Sequence, residues 1–91
     1  MEHNTRFRVT ENTLHREVED EVVILDTEND SYLGLNGTAA TIWTALLSEG
    51  TFVAAVRSLV VRFDVDEGRA REDARVLIEN LLGRGLIERE S

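Results

Sequence analysis

Val22-Val-Ile-Leu-Asp-Thr-Glu-Asn-Asp-Ser-Tyr-Leu-Gly-Leu-Asn36 is the stretch on which the fold turns. Val22 to Leu25 is a continuous apolar run rich in β-branched residues, as expected of a central strand covered on both sides. Glu28-Asn29-Asp30 is built from residues that tolerate tight backbone geometry, so the chain reverses there. Tyr32 to Leu35 returns with period-two alternation: Leu33 and Leu35 face one way, Tyr32 and Gly34 the other. Gly34 leaves room for another backbone. No strand follows Leu35, because the next residues read as a helix. Ser31 to Leu35 is therefore expected to be an edge strand with a free row of N–H and C=O groups.

Working outward, Thr5-Arg-Phe-Arg-Val-Thr10 alternates with Phe7 and Val9 on one face and predicts the first strand of a three-stranded sheet. Leu14 to Asp20 reads either as a turn or as a strand extension. After the hairpin come three helices. Asn36 or Thr38 caps the first, whose apolar positions are Ala39, Ile42, Trp43, Leu46 and Leu47 and which ends at Gly50. Thr51 caps the second, with a stripe of Phe52, Val56, Leu59, Val60 and Phe63. Asp66 caps the third, which turns Ala70, Ala74, Leu77, Ile78 and Leu81 to the core. Gly83 and Gly85 stop it, and Leu86-Ile87 pins the tail. Strands, hairpin and three closely spaced helices predict one α+β domain over residues 1–91, with a three-stranded antiparallel sheet and the inventory of a winged helix-turn-helix.

Charge divides the chain. Net charge is −8, and between Arg16 and Arg57 there is no basic residue but eight acids. From Arg57 onward seven Arg face eight acids. The hairpin half is thus an acidic surface, suited to a cationic partner and unfavourable for nucleic acid. On the third helix Arg69, Arg71 and Arg75 alternate with Glu67, Glu72 and Asp73, so no unbroken basic face is offered to DNA. No apolar run reaches the roughly 20 residues of a membrane span. No secretory signal is read at the N-terminus, and there is no cysteine, so a cytoplasmic protein without a membrane partner is expected.

Catalytic constellations are not legible. His3 and His15 have no cysteine partner or converging carboxylate set for a metal. Asp26 to Asp30 lacks the spacing and closing Glu of an EF-hand loop. Ser31, Ser48 and Ser58 have no nucleophile elbow, and no Gly-rich phosphate loop exists. Adjacent acids such as Glu72-Asp73 read as a solvated helix face. The expectation is a non-enzyme without a cofactor.

The ordered series Leu25-Asp26, Tyr32, Leu35-Asn36, Ala39-Ala40 and Ile42-Trp43 resembles the PqqD-like family. The later Gly50-Thr51, Leu59, Phe63-Asp64-Val65, Asp73, Leu81 and Gly85-Leu86-Ile87 extend that resemblance over Val22 to Glu88. The Asp…Tyr-x-x-Leu-Asn…Ile-Trp form is most similar to the stand-alone leader-binding half of a split lasso-peptide B protein. The resemblance implies that the leader of a ribosomal precursor peptide adds as an antiparallel strand to the edge near 31–36. Its side chains then lie between that strand and the third helix. A separate transglutaminase-like cysteine protease removes the leader, and an asparagine-synthetase-like cyclase closes the ring. Ala74 is smaller than the aliphatic residue the resemblance leads one to expect. The alternatives are a PqqD-type peptide chaperone of another modified-peptide pathway and a winged-helix transcriptional regulator.

The residues themselves suggest the peptide contacts. An edge supplies main-chain bonds with little sequence preference, so selectivity must come from neighbouring pockets. Candidates are Tyr32, Leu33, Gly34 and Leu35 on the strand, with Asp73, Val76, Leu77 and Asn80 on the helix. Asp73 suits a leader cation or backbone N–H. Val76 and Leu77, with Leu33 and Leu35, suit an aromatic leader residue, and Asn80 suits the peptide backbone. Plainer roles stand beside these: core packing for Leu33, Leu35 and Leu77, a helix-surface pair with Arg69 for Asp73, and cross-strand packing for Tyr32.

Overall fold

Hydrogen-bonded turns at either end of one central strand organise the β half. The computed structural model describes residues 1–90 and contains β1 (Phe7–Val9), β2 (Thr13–Val18), β3 (Glu21–Asp26), β4 (Ser31–Leu35), α1 (Gly37–Ser48), α2 (Phe52–Phe63), α3 (Glu67–Gly83) and β5 (Ile87–Arg89). β2, β3 and β4 form a three-stranded antiparallel sheet with β3 in the middle. At the β3–β4 turn the Asp26 carboxylate accepts from the backbone N–H groups of Glu28 and Asn29, at 3.1 and 3.2 Å, and from Asn29 Nδ2 at 2.8 Å. That local clamp is what makes the Asp-Thr-Glu-Asn-Asp stretch a turn.

Two sequence expectations are corrected. The strand around Phe7 is not part of the three-stranded sheet: β1 pairs with β5, Phe7 opposite Arg89 and Val9 opposite Ile87. The first strand of the main sheet is β2, from the stretch left open as turn or extension. Its ladder with β3 runs from Thr13↔Asp26 to Val18↔Glu21, and the pairing overrides its charged composition. β3 is also covered on one face only. Val22 and Ile24 are buried, whereas Leu25 on the alternate face is exposed. The helices therefore occupy one face of the sheet.

Capping follows the sequence closely. Thr51 Oγ1 accepts from Ala54 N at 3.2 Å and Asp66 Oδ1 from Arg69 N at 2.8 Å, removing orphan N–H groups at each start. Asn36 occupies the cap position of α1 without a side-chain bond; its carbonyl accepts from Ala39 and Ala40. Past α3, Gly85 has φ +73. Its N–H reaches Leu82 O while Leu86 N–H reaches Leu81 O, a Schellman ending that drives Leu86 into the core. Gly50 (φ +75) is constrained twice, since a Cβ there would lie 3.2 Å from Phe7 O. It also receives the Phe7 N–H at 2.7 Å, so the α1–α2 junction and β1 are locked together.

Trp43, Ile24, Ile42, Phe52, Leu59, Ile78 and Leu81 are the largest fully buried side chains. Burying each contributes about 1.5–3 kcal/mol against the chain entropy lost. Trp43 is the exception to a satisfied core: Nε1 has no acceptor among the described residues, a cost of about 1–3 kcal/mol. Its ring meets the His15 imidazole of β2 edge to face at 5.7 Å.

Candidate functional site

Two strands of the main sheet lie at its edges, and β4 lines a cavity with three consecutive residues, Ser31, Tyr32 and Leu33. Along β4 the alternation is as read from the sequence. Tyr32 is 74% exposed on the outer face, opposite Leu25; Leu33 is half-buried opposite Ile24; Leu35 is buried opposite Val22. Leu35 thus belongs to the core, and Leu33 is the apolar residue of β4 that keeps surface on the helix side. A Cβ placed on Gly34 would meet nothing within 4 Å, so the strand is open to an approaching chain at that point.

A cavity of about 280 Å³ adjoins this strand. Ser31, Tyr32 and Leu33 line it from β4, Asp26 and Asn29 from the turn, and Gly83 and Arg84 from the end of α3. This is below the usual range for small-molecule pockets, about 300–1,000 Å³, and suits one large side chain. Hydrogen bonds from Asn29, first through its side chain and then its backbone, hold the Asp26 carboxyl below its ordinary pKa of 3.8. One rim is therefore a fixed carboxylate at neutral pH. Arg84 lines the same cavity, and its Nε donates to Asn80 Oδ1 at 2.9 Å.

The helix residues singled out from the sequence lie further along α3 and do not line this cavity. Asp73 pairs with Arg69 at 3.5 Å, both partly exposed. Val76 is exposed, and Leu77 is half-buried against the same core cluster as Leu33. Asn80 is occupied with Arg84. The structure brings Tyr32 and Leu33 together with the end of α3, and it adds Asp26, Asn29, Gly83 and Arg84 to the candidates. Helical periodicity had marked the stripe of α3 beside the core face. Where the helix end meets β4 is set by the Gly85 reversal, for which Gly85 was the available signal. Ala74 is fully buried, so its small size acts on the core.

Of the remaining Arg of α3, Arg71 lies over the Phe52 ring at 5.3 Å. Arg75 is bound by Glu72 and Glu79, each at 2.6 Å, and these carboxylates, Glu72 foremost, raise its pKa further. Among the described residues no group of three or more His, Cys, Asp or Glu is arranged to hold a metal ion. No helix is long and apolar enough to cross a membrane.

An antiparallel edge strand beside a side-chain-sized cavity, on a sheet backed by three helices, defines the class of small α+β domains that can accept an extended peptide. The profile of the family described as PqqD, coenzyme PQQ synthesis protein D, matches residues 21–87, and the chain belongs to that family. No curated protein matches. Among solved structures, one described as TbiB1 in complex with the TbiA(beta) leader peptide superposes with a TM-score of 0.85 at 23% identity, covering 92% of this chain and 98% of that one. A second, lasso peptide synthetase B1 complexed with the leader peptide, gives a TM-score of 0.81 at 25% identity over 91% and 98% of the two chains.

Proposed function

We propose that this protein is a non-catalytic carrier that captures the leader of a ribosomally made precursor peptide by strand addition to β4 and presents it to a separate leader peptidase in lasso-peptide biosynthesis. The observation that carries the reading is the free β4 edge opening on the cavity it shares with the end of α3. The edge supplies backbone bonds, and the Leu33–Arg84 cavity supplies selectivity for one large leader side chain. Tyr32 and Gly34 border the incoming strand, while Asp73, Val76, Leu77 and Asn80 flank its continuation along α3. The two solved structures of the same fold, each described with a leader peptide, support this choice over other extended ligands. The peptidase is a transglutaminase-like cysteine protease, and an asparagine-synthetase-like cyclase acts after it. A second reading, a PqqD-type chaperone for another modified peptide, is favoured by the family's own description.

Titration of a labelled leader peptide tests the proposal. Saturable binding at micromolar Kd or below, about −8 kcal/mol or better, is expected, and a flat titration at high peptide concentration ends the idea. With net charge −8, affinity for a cationic leader should fall as salt is added.

A further inference from the structure

A second cavity, about 760 Å³ and larger than the one at β4, lies between the β2–β3 turn and the α1–α2 pair. It shares no lining residue with the β4 cavity. Its floor is a face of α1 carrying Gly37, Thr41, Thr44 and Ser48, a run of small residues at spacings of four and three. The hydroxyls of that floor are used within their own helix: Thr41 donates to Gly37 O at 3.1 Å, Thr44 to Ala40 O at 3.0 Å and Ser48 to Ala45 O at 3.4 Å. Across the cleft Ser58 of α2 donates likewise to Ala55 O at 2.7 Å. The cleft therefore offers shape and methyl surface, with its hydroxyl donors already satisfied.

Its walls are charged with opposite sign. Glu17, Glu19, Asp20 and Glu21 line the hairpin side, and Arg57 and Arg62 the α2 side. None of these six belongs to an ion pair among the described residues. Elsewhere among the described residues Arg6, Arg8, Arg69 and Arg75 are each paired with a carboxylate, whereas Arg16, Arg71, Arg84 and Arg89 are not. What sets the cleft apart is that its unpaired charges of opposite sign face one another across a single cavity. Charges left unmatched on both sides of one cleft are complementary to a ligand that carries both signs on opposite edges.

We propose that this cleft docks an amphipathic α-helix of a partner protein, with small apolar residues along its centre, basic residues against the hairpin acids and acidic residues against Arg57 and Arg62. A helix fits better than an extended strand. β2, a free edge of the sheet, contributes only Glu17 to the lining, too short a stretch for a strand to pair along, whereas α1 runs beside the cleft from Gly37 to Ser48. The small residues of α1 permit an interaxial distance near the lower end of about 8–10 Å. Two turns of helix, roughly 11 Å long and 10 Å across, match the size of the cleft. The partner is held on a different surface from the β4 edge, so both sites can be filled at once.

A synthetic helical peptide of about 18 residues, with Arg along one edge, Ala along the centre and Glu along the other, is the ligand to titrate into the full chain. Saturable shifts should appear at the amides of Ala40, Thr44, Ser48 and Ser58, with β4 unmoved. The double variant Arg57→Glu/Arg62→Glu should lose about tenfold or more in affinity for this peptide and gain a similar factor for one with Arg on both edges, about 1.4 kcal/mol each way. Thr44→Trp, which fills the floor, should abolish binding of both peptides, and it decides the question if the double variant does not fold. An unchanged preference, shifts mapping to β4, or no saturation by about 1 mM peptide, where binding would be only about −4 kcal/mol, overturns the proposal. Leader binding at β4 is measured in parallel and stands or falls independently.

Discussion

β2 and β4 are both free edges of one sheet, yet they differ in what stands beside them. Five of the six residues of β2 are exposed, with Arg16 and Glu17 in mid-strand. It has solvent along it and charges that discourage pairing. β4 has Leu35 in the core, Leu33 half-buried and a cavity under its first half. Main-chain bonding groups are available at either edge, so backbone chemistry alone cannot decide where a peptide adds. The pocket does: β4 lines its cavity with three consecutive residues, where β2 gives a single glutamate, Glu17, to the cleft beside it. A side chain of a strand added at β4 therefore has a half-buried leucine, Leu33, to pack against.

A matched pair of substitutions tests this most severely. Leu33→Asp puts a carboxylate into the half-buried wall of the β4 cavity and should weaken leader binding about 100-fold or more, near 2.7 kcal/mol. Leu14→Asp places the same charge on the outer face of β2, where the side chain is 55% exposed, and should change affinity less than about twofold. Calorimetric titration of both, with circular dichroism to verify folding, reads the difference. The reverse pattern would move the peptide to β2.

The second test uses pH, because the two hairpin turns are held differently. Asp26 has a folded pKa below its ordinary 3.8 through Asn29 and Glu28. Its contribution to stability is therefore complete above the unfolded value. It is lost as pH falls below 3.8 through the lower folded value. Asp26→Asn should lower Tm at neutral pH, and the gap to the parent should close as pH drops through that window. Since Asp26 and Asn29 rim the β4 cavity, leader affinity should weaken over the same range. A pH-independent Tm gap would mean that the clamp does not depend on charge.

How much of this was legible beforehand follows from what a local pattern can encode. The caps Thr51 and Asp66, the turn at Glu28–Asp30 and the alternation from Tyr32 to Leu35 are decided within a few residues, and they were read correctly. The partner of Phe7–Val9 was not, because period-two alternation announces a strand without saying that Arg89, some eighty positions on, lies opposite. Val18, Glu17 and Arg16 have no strand-like alternation of their own and become β2 by pairing with β3. Leu25 sits in an unbroken apolar run yet is exposed, since run length does not report which face the helices cover. At the site, β4 was visible and the end of α3 was not. Helical spacing marks the stripe through Asp73, Val76 and Asn80, but the point where that helix meets β4 depends on the Gly85 reversal.

The β2–β3 turn offers a smaller, opposite effect. Glu19 holds φ +58, a left-handed conformation that costs an ordinary side chain about 1 kcal/mol. Glu19→Gly should raise stability by up to about 1 kcal/mol in urea unfolding, less the entropy glycine adds to the unfolded chain. Leader affinity should be unmoved. A change in affinity would couple the hairpin tip to β4 and weaken the separation drawn between the two edges.

The smallest expected effect bears on how far the groove extends along α3. Asp73 is engaged by Arg69 at 3.5 Å with both side chains partly exposed, a pair worth about 0–1 kcal/mol. If the leader reaches this far and brings a cation, Asp73→Ala should weaken binding about threefold. Arg69→Ala, which frees the same carboxylate, should tighten it by a similar factor, about 0.6 kcal/mol each way. The opposite signs are the useful feature, because loss of helix stability alone would move both variants in one direction. If titration finds both unchanged, Asp73 is a surface acid, and leader selectivity is confined to the cavity between Leu33 and Arg84.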